Sequence, residues 1–256
     1  MKKRWAGAGL ASGLLIALIW QAPARWLSGW VAQGSGGRLQ LVEPRGSLWH
    51  GSAGLVLSGG AGSRDASRLP GRLHWRLSWR SGPQLRLNLD CCSAGELALP
   101  LKPGWGRLRV ELPQQQGPLL RLPAAWLNGL GTPWNTLQPS GQLRFSAQAA
   151  AFEYQGGRWQ PQGQLELELH QFGSRLSTLP SLGSYRLQLL AVPQGPVQLQ
   201  LQTLEGALQL HGSGRLEGRL QFQGEARANP GQEAALNNLL NIIGRRQGER
   251  SVITIG

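Results

Sequence analysis

The sequence is short of most of what catalytic centres are built from. Among 256 residues there are two aspartates, four histidines, two cysteines and three lysines. Asp65 and Asp90 are the whole aspartate supply for a Ser-His-Asp arrangement, and neither lies near a nucleophile elbow. Two cysteines are too few to frame a disulfide-built fold. They are adjacent, Cys91 and Cys92, and neighbouring side chains on a strand point to opposite faces. A bond between them would be strained, so one buried and one half-exposed thiol is the expectation. A vicinal or intermolecular bridge is the alternative in an oxidising compartment. The long intervals that βαβ units require are missing too, which argues against a parallel sheet.

What is abundant is equally skewed: 23 arginines, 37 glycines and 11 tryptophans, with a net charge of +13. Such a balance admits polyanions: nucleic acid, anionic lipid headgroups or lipopolysaccharide. The charges are spread along the chain instead of clustered, as on an ordinary solvated surface. Tryptophans among basic strands suggest a single-strand nucleic-acid platform. Trp75 and Trp79, however, share their face with leucines, so they read as core, and no nucleic-acid partner is expected.

Lys2, Lys3 and Arg4 precede an uncharged stretch, Trp5 to Ala22, which as a helix would extend about 27 Å, near the thickness of a bilayer core. It contains Gly9, Gly13, Leu14, Leu15, Ile16, Leu18 and Ile19. Trp5 and Trp20, with Trp26 and Trp30 just beyond, suit the membrane interfaces. Gly9 and Gly13 form a weak GxxxG packing motif. The basic flank belongs in the cytoplasm and the remainder outside it. The rival is a cleavable signal peptide ending at Ala22-Pro23-Ala24. Pro23 fits such a site poorly, so a retained anchor is preferred; both readings export the body. The expected layout is a cytoplasmic basic tip (1–4), a transmembrane anchor (5–22), an interfacial turn and linker (23–37) and an exported β-rich domain (38–256), with 38–118 and 140–256 as candidate halves.

From Leu39 onward apolar and polar residues alternate. "RLHWRLSW" sets Leu73, Trp75, Leu77 and Trp79 against Arg72, His74, Arg76 and Ser78. "QLELELHQF", "VQLQLQ" and "RLEGRLQFQGEA" repeat the pattern between turns rich in Gly, Pro, Ser and Gln. Period-two alternation with one buried face marks antiparallel hairpins. Two segments depart from it. In "LPAAWLNGLGTPW", Pro123 opens a helix that aligns Trp126, Leu127 and Leu130 and stops at Gly131. In "NPGQEAALNNLLNIIGRR", Asn229 is the expected cap, and Leu236, Leu239, Leu240 and Ile243 form an apolar stripe. Gly244 ends that helix, with Arg245 and Arg246 beside its negative pole. The expected fold is therefore mainly β: one N-terminal transmembrane helix, then an extended curled antiparallel β-sheet or β-roll with two short helices.

The best candidate for chemistry is "LELELH", which puts Glu166, Glu168 and His170 on one strand face, a set able to ligate a metal. No second cluster completes a site, and a solvated strand face is the simpler account. Neither catalytic residues nor a metal or other cofactor is expected, and the chain does not read as an enzyme.

Several features together resemble the type II secretion system protein N family (general secretion pathway protein N). They are a basic start, one span and an exported remainder; the element Gly46-Ser47-Leu48-Trp49-His50-Gly51-Ser52-Ala53, similar to the family's "G-x-[hydrophobic]-W-x-G-x-A"; "LPGRLHWRLSW" some twenty residues on; and the ending "FQGEARANP…LNNLLNIIGRRQGERSVITI". The resemblance implies a bitopic inner-membrane component of the machine that moves folded proteins across the outer membrane, in Gram-negative bacteria, with other secretion proteins as partners and no catalytic residues. Within the motif, Gly46 and Gly51 are expected to turn the backbone and Trp49 to be the large anchor of the sheet core. The C-terminal stripe (Leu236, Leu239, Leu240, Ile243) is the candidate partner-docking helix. The alternative of a different class is a periplasmic groove that binds or transfers lipid or lipopolysaccharide along an uncovered leucine face; covering of that face separates the two.

Overall fold

The computed structural model describes residues 21–79, 82–193 and 195–256. The expected anchor residues Trp5, Gly9, Gly13, Leu14, Leu15, Ile16, Leu18, Ile19 and Trp20 lie outside them. No helix among the described residues is long and apolar enough to cross a membrane.

The protein is mainly β. Its strands in chain order are β1 (Leu39–Gly46), β2 (His50–Ser58), β3 (Ala66–Arg68), β4 (Leu73–Ser78), β5 (Gln84–Leu89), β6 (Leu97–Gly104), β7 (Arg107–Glu111) and β8 (Leu120–Pro123). They continue with β9 (Ser140–Gln155), β10 (Arg158–Gly173), β11 (Gly183–Ala191), β12 (Val197–Glu205), β13 (Leu208–Glu217), β14 (Arg219–Ala228), β15 (Arg245–Gln247) and β16 (Arg250–Ile255). All belong to one 16-stranded antiparallel sheet in the order β1-β2-β4-β5-β6-β7-β9-β10-β11-β12-β13-β14-β16-β15, with β3 added to β2 and β8 to β9. The path is a meander because short glycine-containing turns leave each strand only its predecessor to pair with.

Register carries the alternation across strands. Leu165, Leu189, Leu199, Gly214, Phe222 and Ile255 form one row from β10 to β16. Residues paired in register share a face, so the leucines stack into an apolar surface. Glycines serve it locally: a Cβ on Gly212 would run into the Phe222 ring, and Gly214 and Gly224 also lie against that ring. Phe222 is buried by lying over this glycine strip.

Parts of the apolar face are covered, in three clusters. Helix α1 (Arg25–Gly34) lays Leu27 and Val31 over Leu41, Leu55 and Trp75. Near the middle, Leu119, just before β8, packs with Leu97, Ala147 and Leu165. Helix α3 (Glu233–Ile243) covers Leu208 and Ala226. Two further pieces, a 3-10 helix (Ala124–Leu130) and the single turn α2 (Trp134–Leu137), complete the helical content of the described residues.

Several expectations need correction. Residues 25–34 are helix, not turn and linker, because Leu27 and Val31 at i and i+4 find apolar strand residues beneath them. The central helix is 3-10: Gly129 lies so close to the Leu57 carbonyl and Ser67 amide that a Cβ there would clash. Helix α3 starts after Gln232, and Asn229 instead donates from Nδ2 to the Gly206 carbonyl at 2.7 Å. Gly244 is extended, with φ −169°, and feeds Arg245 and Arg246 into β15 instead of leaving them at the helix pole. Trp79 lies past the end of β4 and is exposed, unlike Trp75. Cys91 and Cys92 are joined as a vicinal disulfide. They sit in the turn after β5, where the opposite-face rule for strands does not hold.

Candidate functional site

The turn between β1 and β2 is tightly constrained. Gly46 and Gly51 face each other in register. Gly46 has φ +86°, and a Cβ there would sit 2.5 Å from the His50 carbonyl oxygen. A Cβ on Gly51 would sit 2.5 Å from the Arg45 carbonyl oxygen and 2.5 Å from Cζ2 of Trp75. Trp75, opposite Gly51 on β4, is 3 % exposed. Its Nε1 donates to the carbonyls of Ser47 at 3.2 Å and Leu48 at 3.1 Å. The anchor of the turn is thus Trp75. Trp49, expected in that role, is half-buried and contributes its carbonyl to the Leu77 amide at 2.7 Å. Period two places Trp75 in the core; only the pairing of β2 with β4 places it under the turn.

The chain upstream docks on this same turn. The Ala24 amide donates to the Gly46 carbonyl at 3.2 Å and the Leu48 amide to the Ala22 carbonyl at 2.8 Å, while Pro23 bridges Ser47. Ala22 and Ala24 are both buried.

On the polar face, Glu166, Glu168 and His170 are brought together with Arg186 and Gln188 of β11. Arg186 holds Glu168 at 2.6 Å and Glu166 at 3.4 Å, and His170 lies 2.8 Å from Glu168. Gln188 donates to Glu166 at 3.1 Å. Burial pushes the Glu168 carboxyl up, but the hydrogen bonds from His170 and Arg186, with the guanidinium charge, outweigh it, leaving the carboxyl below its usual range. These carboxylates are committed to a guanidinium, an imidazole and an amide. Among the described residues no group of three or more His, Cys, Asp or Glu gathers to hold a metal.

A trough of about 920 Å³ lies over β10 to β16, lined by Gln188, Gln200, Ser213, Gln221 and Gln223 beside Leu199 and Phe222. Its walls are polar and apolar in equal share, the apolar part coming from Leu189, Leu190, Leu199, Phe222 and Ile255.

The C-terminal stripe faces inward. Leu236, Leu239 and Leu240 are fully buried against their own sheet and Ile243 is partly so. Asn237, Asn238, Asn241 and Ile242 remain on the outer face. Beneath the helix, Tyr185 donates to the Leu208 carbonyl at 2.9 Å, and burial pushes its phenol above the ordinary 10.0.

Residues 37–254 match the family model described as Type II secretion system (T2SS), protein N. No curated protein and no solved structure matches the chain.

Proposed function

Because the chain belongs to the type II secretion system protein N family, matched from residue 37 to 254, we propose that it is a non-catalytic, inner-membrane-anchored periplasmic component of that machinery. Its role is to assemble or support the apparatus that exports folded proteins across the outer membrane. The observation that carries this reading is the extent of the match, which takes in the sheet from β1 to most of β16. The Gly46–Gly51 motif then acts as architecture, locking the first hairpin, together with Trp75, to the segment arriving from the N-terminus. Partners are other inner-membrane and periplasmic secretion proteins, met on strand edges or on the outer face of α3.

Retention of the N-terminal segment is supported by the burial of Ala22 and Ala24 in the fold. Cutting at Ala22-Pro23-Ala24 would cost the fold its pairing with Gly46 to Leu48. Intact-mass measurement of membrane-extracted protein tests this; a mature chain beginning at Ala24 or Arg25 would overturn the anchor. Crosslinking from Asn238 that captures no secretion component, with capture equally absent from the strand edges, would overturn the assembly role.

A further inference from the structure

The two ends of the strands differ in chemistry. At one end lie the turns β1–β2, β4–β5, β6–β7, β9–β10, β11–β12 and β13–β14, together with the last residue of β16. Of twelve large hydrophobic side chains exposed among the described residues, eight sit at this end, including Trp79, Trp105, Tyr154, Trp159, Leu190 and Val192. Two more, Trp26 and Trp30, are on α1, whose start is tied to the same end; Leu204 at the far end of β12 and Ile242 on α3 are the others. Trp105 stands free at the β6–β7 tip with 102 % exposure, and Trp159 beside Tyr154 at the next tip is 53 % exposed, their rings 5.2 Å apart.

Charge at this end is mainly basic. Exposed Arg45, Arg107, Arg158 and Arg219 border these turns, against Glu217. The opposite end is mixed: Asp65, Asp90, Glu96, Glu205 and Glu249 lie there among exposed Arg38, Arg64, Arg175, Arg227 and Arg250, and no comparable set of exposed rings among the described residues accompanies them. Tryptophan and tyrosine with arginine is the composition that settles at a bilayer interface, where amphipathic rings sit among headgroups and cations meet anionic lipid. Strands about 4.8 Å apart spread the tips along the sheet, so they present a row for a surface instead of a pocket for one ligand.

We propose that this rim of hairpin tips is a membrane-contacting surface, seated in the headgroup region of an anionic phospholipid bilayer. The placement rests in part on the anchor reading. Described residues begin at Gln21, and Ala22 is hydrogen-bonded to Leu48 of the rim. The uncharged stretch before it therefore delivers the chain to this end, and the rim meets the membrane which that stretch enters. The opposite end then points away, toward the periplasm.

The test uses the full chain in vesicles of phosphatidylethanolamine and phosphatidylglycerol containing an acyl-chain quencher lipid. An environment-sensitive fluorophore is attached through Gln155→Cys at the rim or through Glu249→Cys at the far end; Cys91 and Cys92 are disulfide-bonded and do not react. The expected result is a blue shift and loss of emission at 155, none at 249, and reversal at 155 when Trp105→Ser and Trp159→Ser are added. Co-flotation with the vesicles reports the anchor separately. Flotation without selective quenching at 155, whether the rim is bare or crosslinked to a second copy, overturns the rim and leaves the anchor standing. Failure to float overturns both.

Discussion

Trp75→Ala should be the most damaging single substitution among the residues that form or support the turn of the first hairpin. The side chain is 3 % exposed and packs among Leu41, Ala53 and Leu89 under the turn. Its removal leaves a cavity of indole size, costing about 3–5 kcal/mol. Trp75→Phe keeps part of the ring but withdraws the donor from the carbonyls of Ser47 and Leu48, costing about 1–3 kcal/mol. Gly51→Ala, whose new methyl meets both the Arg45 carbonyl and the Trp75 ring, costs about 2 kcal/mol. Trp49→Ala, at a half-buried side chain, costs about 1–2 kcal/mol. Urea titration of the four variants orders them by midpoint at constant slope. With a slope of about 3 kcal/mol per molar, Trp75→Ala lowers the midpoint by ~1–1.7 M. Equal losses from Trp49→Ala and Trp75→Ala would refute the assignment of the anchor.

Tyr185→Phe should cost about 1 kcal/mol, since it strands the Leu208 carbonyl. Because burial raises the native phenol, the unfolded chain loses its proton first above pH 10.0, so stability falls with rising pH there; the variant should lack that component of the alkaline slope. Glu168→Gln weakens the pairs with Arg186 and His170 and should cost about 1–2 kcal/mol by denaturant titration; no loss would mark this network as energetically idle. As the native carboxyl titrates below 4.5, its contribution is present above that value and is lost as pH falls through the lowered one. Cys91→Ala with Cys92→Ala should change stability by about 1 kcal/mol or less, because the bond closes no loop; thiol titration of the unfolded chain should find no thiol before reduction.

The strand periodicity, the turn positions, the stripe of α3 and the family were all legible before folding, because each is written in residues close together along the chain. Alternation reports which side of a strand is apolar whatever the strand pairs with, so the sheet could be read from Leu39 onward. Outcomes that depend on distant pairing could not. Only the register of β2 against β4 puts Trp75, and not Trp49, under the Gly46–Gly51 turn. Only the backbone bend after β5 brought Cys91 and Cys92 into bonding geometry. The apolar strands beneath Leu27 and Val31 turned an expected linker into a helix. The polar network around Glu168 was visible as three residues on β10, but its strongest partner, Arg186, arrives from the next strand. The meander, finally, brought tryptophans from turns far apart in sequence to one end of the sheet, since antiparallel pairing returns alternate turns to the same end.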